Sequence, residues 1–163
     1  MAYERAKETA KKVRKALKAA FPGIKFSVRS STYTGGSSLR VSWVDGPRNK
    51  EVQEVTSKYK SSTFDGMTDM KTTHGYKDPE TGEMCSGADY IFVERERSEE
   101  LTEKIKKMAE KLTGNIPDPT KYGYHMEMHE AEEALNGEKP IRFCRSEESW
   151  NELFNYAKEL KAS

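Results

Sequence analysis

The sequence predicts an α+β fold. An antiparallel sheet of about four strands carries helices packed on one face, in the order α-β-β-α-β-β-α, with a C-terminal helical extension. Three observations predict it. Apolar residues recur at three- and four-residue steps over 3–21, over 99–113 and after Ser146, the period of helices with one buried face. Residues 24–28 and 39–43 alternate apolar and polar, the period of half-buried strands. Consecutive strands are joined by turn-forming stretches rather than by helices, which implies antiparallel pairing. A core domain over 1–113 is expected, with a loop and helical part over 114–163 packed on it.

Composition sets the bounds. Of 163 residues, 34% are apolar and 34% charged, which implies a small core beneath solvated helices, while 10% aromatics argue against disorder. No apolar run approaches the roughly 20 residues of a membrane span, so no membrane partner is expected. The opening MAYERAKETAKK lacks an apolar signal region, and a cytoplasmic location is expected. Cys85 and Cys144 form no CxxC and read as free thiols. The net charge of +1 hides an asymmetry. Residues 1–60 hold 14 Lys+Arg against 5 Asp+Glu, a net +9, and the remainder holds 14 against 22, a net −8. A basic front and an acidic back suit an anionic partner at the front, attraction between the halves, or simply solvated helix faces.

The first helix presents Tyr3, Ala6, Ala10, Val13, Leu17, Ala20 and Phe21 on one face, and Lys11, Lys12, Arg14, Lys15 and Lys18 on the other. Phe21-Pro22-Gly23 stops it. Ile24, Phe26 and Val28 then alternate with Lys25, Ser27 and Arg29, and Leu39, Val41 and Trp43 with Arg40 and Ser42. Between them Ser30–Ser38 reads as a loop with Gly35-Gly36 at its tip, where glycine tolerates positive φ. The tip's exposed amides are a minor candidate for holding an anion. Asp45-Gly46-Pro47 turns the chain into a helix over 47–59 with Val52, Val55 and Tyr59 inward. Phe64-Asp65-Gly66 is a further turn. Residues 67–76 and 84–95 read as a second hairpin, in which Tyr90-Ile91-Phe92-Val93 is a central strand buried on both faces or nearly so. Ser98 caps the helix over 99–113, and Gly114 ends it. A two-proline loop, a short acidic helix over 126–136, a short strand Ile141-Arg142-Phe143-Cys144 and a last helix capped by Ser146 complete the chain.

Residues 15–70 resemble a known family. The matching pieces are Leu17 to Phe21-Pro22-Gly23, Phe26-Ser27-Val28-Arg29-Ser30-Ser31, Gly35-Gly36-Ser37-Ser38, Val41-Ser42-Trp43 with Asp45-Gly46-Pro47, and Phe64-Asp65-Gly66-Met67 with Asp69. They resemble a large polyvalent-protein-associated domain family of phages, prophages and conjugative elements. The resemblance is one of fold and turns, and no catalytic residue carries over. It implies a mobile-element context, with DNA handling or interference with host defence as roles.

The candidate nucleic-acid-binding residues are Lys11, Lys12, Arg14, Lys15 and Lys18 of the first helix with Lys25, Arg29 and Arg40 of the hairpin, since clustered cations bring phosphate affinity without sequence readout. Tyr33 would stack on bases if exposed, whereas Trp43 alternates with core positions. His125 and His129 share a helical face at a spacing that can hold a metal, but without HExxH or a second pair they are weak ligands, and no metal or cofactor is expected. Asp65 and Asp69 could form paired carboxylates, but Asp65 reads instead as a turn residue hydrogen-bonding its own backbone. No catalytic motif stands out, which leans against an enzyme. Three function classes follow: an accessory protein that binds DNA or RNA through its basic front; an inhibitor or anti-defence factor that binds a host or phage protein through its acidic half, including Glu127, Glu130, Glu132 and Glu133; and an enzyme with a dispersed site.

Overall fold

The computed structural model describes residues 2, 4–140, 142 and 146–163. The fold is α+β, and the chain divides into two compact units, Met1–Glu96 and Arg97–Ser163. The division falls before the helix over 99–113. That helix buries its apolar stripe among the C-terminal helices, in a core separate from that of the sheet.

In the N-terminal unit, α1 spans Ala6–Ala20. Tyr3, expected in it, lies outside the described residues. Glu8 caps the helix by accepting the backbone N–H of Arg5 at 2.9 Å. Ala6, Ala10, Val13 and Leu17 are buried as the period predicts, and each fully buried Val or Leu contributes about 1.5–3 kcal/mol. β1 (Ser27–Tyr33) and β2 (Gly36–Val44) pair antiparallel, with Tyr33 opposite Gly36. The turn is therefore only Thr34-Gly35, and Gly35 takes a φ of 87° that other residues resist. Ser30–Tyr33 and Gly36–Ser38, expected as loop, are strand. Their serines and threonines gave no apolar alternation to read.

After β2, α2 (Asn49–Thr56) and a 3-10 turn (Ser57–Tyr59) bury Val52 and Tyr59. The expected second hairpin is divided differently. β3 (Ser62–Asp65) pairs with β4 (Met70–Thr73), and β5 (Tyr76–Lys77) with β6 (Met84–Cys85), as two small antiparallel ribbons. β7 (Tyr90–Glu96) instead joins β2 in parallel, giving a three-stranded sheet in the order β1-β2-β7. The crossover over 45–89, which includes α2, supplies the long connection a parallel pair needs. Thus β2 is central and β7 is an edge strand. Tyr90–Val93 is not buried on both faces: Phe92 is 52% exposed.

The inner face of this sheet, Val28, Leu39, Val41 and Trp43 with Ile91 and Val93, meets the apolar face of α1 and Val52 of α2. In the C-terminal unit, α3 (Glu99–Thr113), α4 (Tyr124–Leu135) and α5 (Glu147–Ala162) share a core built on Ile105, Met108, Met128, Leu135 and Leu153. The Ser98 hydroxyl accepts from Leu101 N–H at 3.2 Å and that of Ser146 from Ser149 N–H at 3.1 Å, as capping predicts. The strand expected at 141–144 lies, apart from Arg142, outside the described residues. Among the described residues no helix is long and apolar enough to cross a membrane.

Candidate nucleic-acid interface

Strand alternation sends every second residue of the three-stranded sheet away from the helices. The register fixes who stands beside whom on that outer face. Tyr33 lies opposite Gly36; Ser31, Ser38 and Tyr90 form the next row; Arg29, Arg40 and Phe92 the next; then Ser27, Ser42 and Glu94, and finally Val44 and Glu96. None of these residues is buried. Phe92 is 52% and Tyr33 48% exposed, and the Tyr90 and Phe92 rings lie nearly parallel at 6.4 Å. Arg40 and Glu94 approach to 3.4 Å, while Arg29 and Lys25 make no ion pair among the described residues. The face is thus aromatic and basic through the middle and acidic at one end. Near that acidic end Lys25, Ser27, Ser42 and Val44 help line a groove of about 430 Å³.

The β3–β4 ribbon borders the aromatic end. Lys71 of β4 donates to the Asp89 carboxylate at 2.9 Å and to the Gly35 carbonyl at 3.2 Å, and its ammonium stands 5.9 Å from the centre of the Tyr90 ring. Asp89 also accepts the Ser37 N–H at 2.8 Å and the Ser62 hydroxyl at 2.7 Å. Burial alone would raise the Asp89 pKa. Lys71, Ser62 and the Ser37 amide more than reverse that, and it lies below the usual carboxylate range. One of the amides beside the hairpin tip, that of Ser37, is therefore already engaged by Asp89. Phe64, cross-strand from Lys71, shares its side of the ribbon and is half exposed. At the ribbon's turn Asp65 accepts Met67 N–H and the Thr68 hydroxyl at 2.9 and 3.0 Å, the turn role its position suggested.

The eight predicted cations do not form one surface. α1 covers the inner face, so its lysines and the outer-face Arg29 and Arg40 lie on opposite sides of the sheet. Three of the five helix cations are engaged within the unit. Lys12 sits 2.5 Å from both Glu4 and Asp78 and donates to the Tyr76 hydroxyl at 3.2 Å. Lys15 pairs with Glu80 at 2.6 Å, and Arg14 donates to the Val28 carbonyl at 2.5 Å. Lys11 and Lys18 make no ion pair among the described residues. Trp43 is buried, its indole N–H donating to the Pro47 carbonyl at 2.9 Å, and so offers no stacking face.

The Lys12 cluster went unpredicted as an ionic core. Glu4, Asp78, Tyr76 and Cys85 are all buried, and Glu4 also accepts the Thr9 and Tyr76 hydroxyls at 2.7 and 2.8 Å. Burial raises the Glu4 pKa, but hydrogen bonds from Lys12, Thr9 and Tyr76 lower it overall. Lys12 and the Glu80 amide hold Asp78 low. Burial lowers the Lys12 pKa and its partners more than compensate, leaving it raised. Burial, aided by the charge of Glu4, raises Tyr76, and burial raises the Cys85 thiol. Glu4, Asp78 and Cys85 are the one group of three potential metal ligands gathered among the described residues. The Lys12 ammonium already occupies the position between the two carboxylates where a cation would sit, so the donor set does not fit a metal.

In the C-terminal unit His125 and His129 are exposed on α4, and no third ligand among the described residues gathers with them. Cys144 lies outside the described residues. The acidic set is not one solvated face. Glu130 and Glu132 are buried, Glu132 pairing with Arg97 at 2.6 Å and Glu130 facing Arg142 at 3.6 Å. The open face was not signalled by apolar–polar alternation, since Tyr90-Ile91-Phe92-Val93 is apolar throughout and only its aromatics, Tyr90 and Phe92, fall on alternate positions.

Residues 4–98 match the family described as Large polyvalent protein associated domain 29, a span that coincides closely with the N-terminal unit. No curated protein and no solved structure matches the chain.

Proposed function

The chain belongs to the Large polyvalent protein associated domain 29 family, which sets it among phage- and mobile-element-associated proteins, and we propose that it is an accessory protein that binds nucleic acid. The binding surface is the outer face of the β1-β2-β7 sheet, not the basic face of α1. One observation carries the reading. A sheet face that the unit's own helices α1 and α2 leave open holds half-exposed Phe92 and Tyr33 beside Arg29 and Arg40, which pairs ring faces for stacking with cations for phosphate. Among the described residues Arg29 and Lys25 make no ion pair, whereas Arg40 meets Glu94 and Lys71 meets Asp89, and a polyanion would compete for those two cations.

The test is a salt titration with DNA and RNA. Affinity falls linearly with salt on logarithmic axes, by a slope of about 0.7–0.9 per neutralised phosphate. Replacing both Arg29 and Arg40 by Ala reduces that slope by about one to two, since each contributes at most one phosphate contact. Absence of binding at ~50 mM salt, where phosphate contacts are strongest, overturns the proposal. So does a slope that the double variant leaves unchanged.

A further inference from the structure

We infer that the ligand of this face is a single strand, with successive bases stacked on Tyr90 and Phe92 and the phosphates running past Arg29 and Arg40. The inference rests on the nucleic-acid reading above and narrows its substrate class.

The geometry separates single from double strands. Stacking needs a free base face, and a duplex keeps its base faces covered by their neighbours. Tyr90 and Phe92 stand two residues apart on one strand with rings nearly parallel, so they offer two adjacent places for two adjacent bases. Arg40 lies beside Phe92 on β2, and Arg29 beyond it on β1. A backbone laid across these strands passes from ring to guanidinium without leaving the face. Ser31 and Ser38, in the row of Tyr90, put hydroxyls where base edges would come. The β3–β4 ribbon forms a wall at this end, adding Phe64 and the Lys71 ammonium held by Asp89.

The features that read a duplex are missing from this surface. A duplex is read by a helix or a two-stranded ribbon placed in a major groove about 12 Å wide. The helices of the N-terminal unit pack on the inner face, and the turn of the β3–β4 ribbon carries exposed Asp65 and Asp69, which phosphates repel. Asp65 is held ionised by the Met67 amide and the Thr68 hydroxyl.

The experiment compares a labelled oligothymidylate, an oligouridylate and a thymidylate–adenylate duplex of equal length. The proteins are the full chain, Phe92→Ala and Phe92→Tyr. A base stacked on an aromatic residue is worth about 1–3 kcal/mol, a loss of roughly 5- to 150-fold in single-strand affinity for Phe92→Ala. Phe92→Tyr keeps a ring and restores most of the affinity. Urea unfolding confirms that Phe92→Ala folds, which its half-exposed position favours. Duplex binding as tight as single-strand binding overturns the inference and leaves the nucleic-acid reading standing. The same holds for single-strand binding that Phe92→Ala does not weaken. Failure to bind either form at ~50 mM salt overturns both.

Discussion

Lys12 on α1 and Arg29 on β1 belong to the same basic front of the sequence, yet they have opposite fates. Lys12 is drawn against Glu4, Asp78 and Tyr76, its charge spent on holding residue 4 and the β5–β6 ribbon to the helix. Arg29 stands on the face of the sheet opposite α1 and makes no ion pair among the described residues. The difference shows that a local excess of lysine and arginine does not measure the charge available to a ligand. The acids that engage Lys12 and Lys15 come partly from residues 78 and 80, on the far side of the chain's charge boundary. Attraction between the two halves of the sequence is therefore realised inside the N-terminal unit. Within this unit Lys12, Arg14 and Lys15 of the helix layer bind the fold together, whereas on the outer face Arg40 meets Glu94 and Arg29 makes no ion pair among the described residues.

The largest expected effect comes from breaking the inner side of that comparison. Lys12→Met leaves two carboxylates, Asp78 only 2% exposed, without their cation. The Lys12 side chain is 31% exposed, so its removal should cost less than the roughly 3–5 kcal/mol of a fully buried pair. The urea midpoint of the variant should fall at unchanged slope. Any binding of nucleic acid through the proposed open face, measured where the variant remains folded, should not change. A variant of unaltered midpoint but weakened binding would reverse the assignment of roles.

Acid acts on the same cluster without mutation. The folded-state pKa values of Glu4 and Asp78 lie below their unfolded values. Such groups stabilise the fold fully above the unfolded pKa, and that contribution is lost as pH falls through the folded pKa. Lys12 has the opposite sign. Its folded pKa is raised, so its contribution is present below about pH 10 and persists throughout acid titration. Stability should therefore decline from about pH 5 downward, and Lys12→Met should flatten that decline, because the carboxylates no longer gain from being charged. Denaturant midpoints at a series of pH values measure this. An equally steep decline in the variant would place the acid sensitivity elsewhere.

Much of the fold was legible because its signals are local. The period of α1, the serine caps of α3 and α5, the Gly35 turn and the Asp65 turn each sit within a few residues of what they control. The parallel pairing of β2 with β7 was not legible. It depends on a crossover of residues 45–89, and nothing in the strands themselves distinguishes a parallel partner from a hairpin partner. The open face was half legible. Arg29 and Arg40 were visible as the polar side of a hairpin, but Phe92 was hidden in an apolar run read as a core strand. The ionic core was invisible, since Glu4, Lys12 and Asp78 meet only after the ribbons have folded back on α1. In each failure the missing information was a contact distant in sequence, and burial was inferred from residue type where topology decided it.

The smallest expected effect is the one that isolates the comparison most cleanly. Lys11 and Lys18 lie on α1 with neither an ion pair among the described residues nor a place on the outer face. They were predicted to bind nucleic acid on the same grounds as Arg29 and Arg40, and they retain the same full charge. Replacing both by Ala should change stability by no more than about 0.5 kcal/mol, as exposed positions generally do. If phosphate contacts are confined to the open face, the slope of affinity against salt should also stay as it is, although the protein's net charge drops by two. The Arg29 and Arg40 double variant loses the same two charges and should lower the slope by about one to two. Equal charge loss with unequal slopes would separate contact from long-range attraction, because the latter responds to net charge wherever it sits. Equal reductions in slope would return the helix face to the binding surface and dissolve the distinction between the two sides of the sheet.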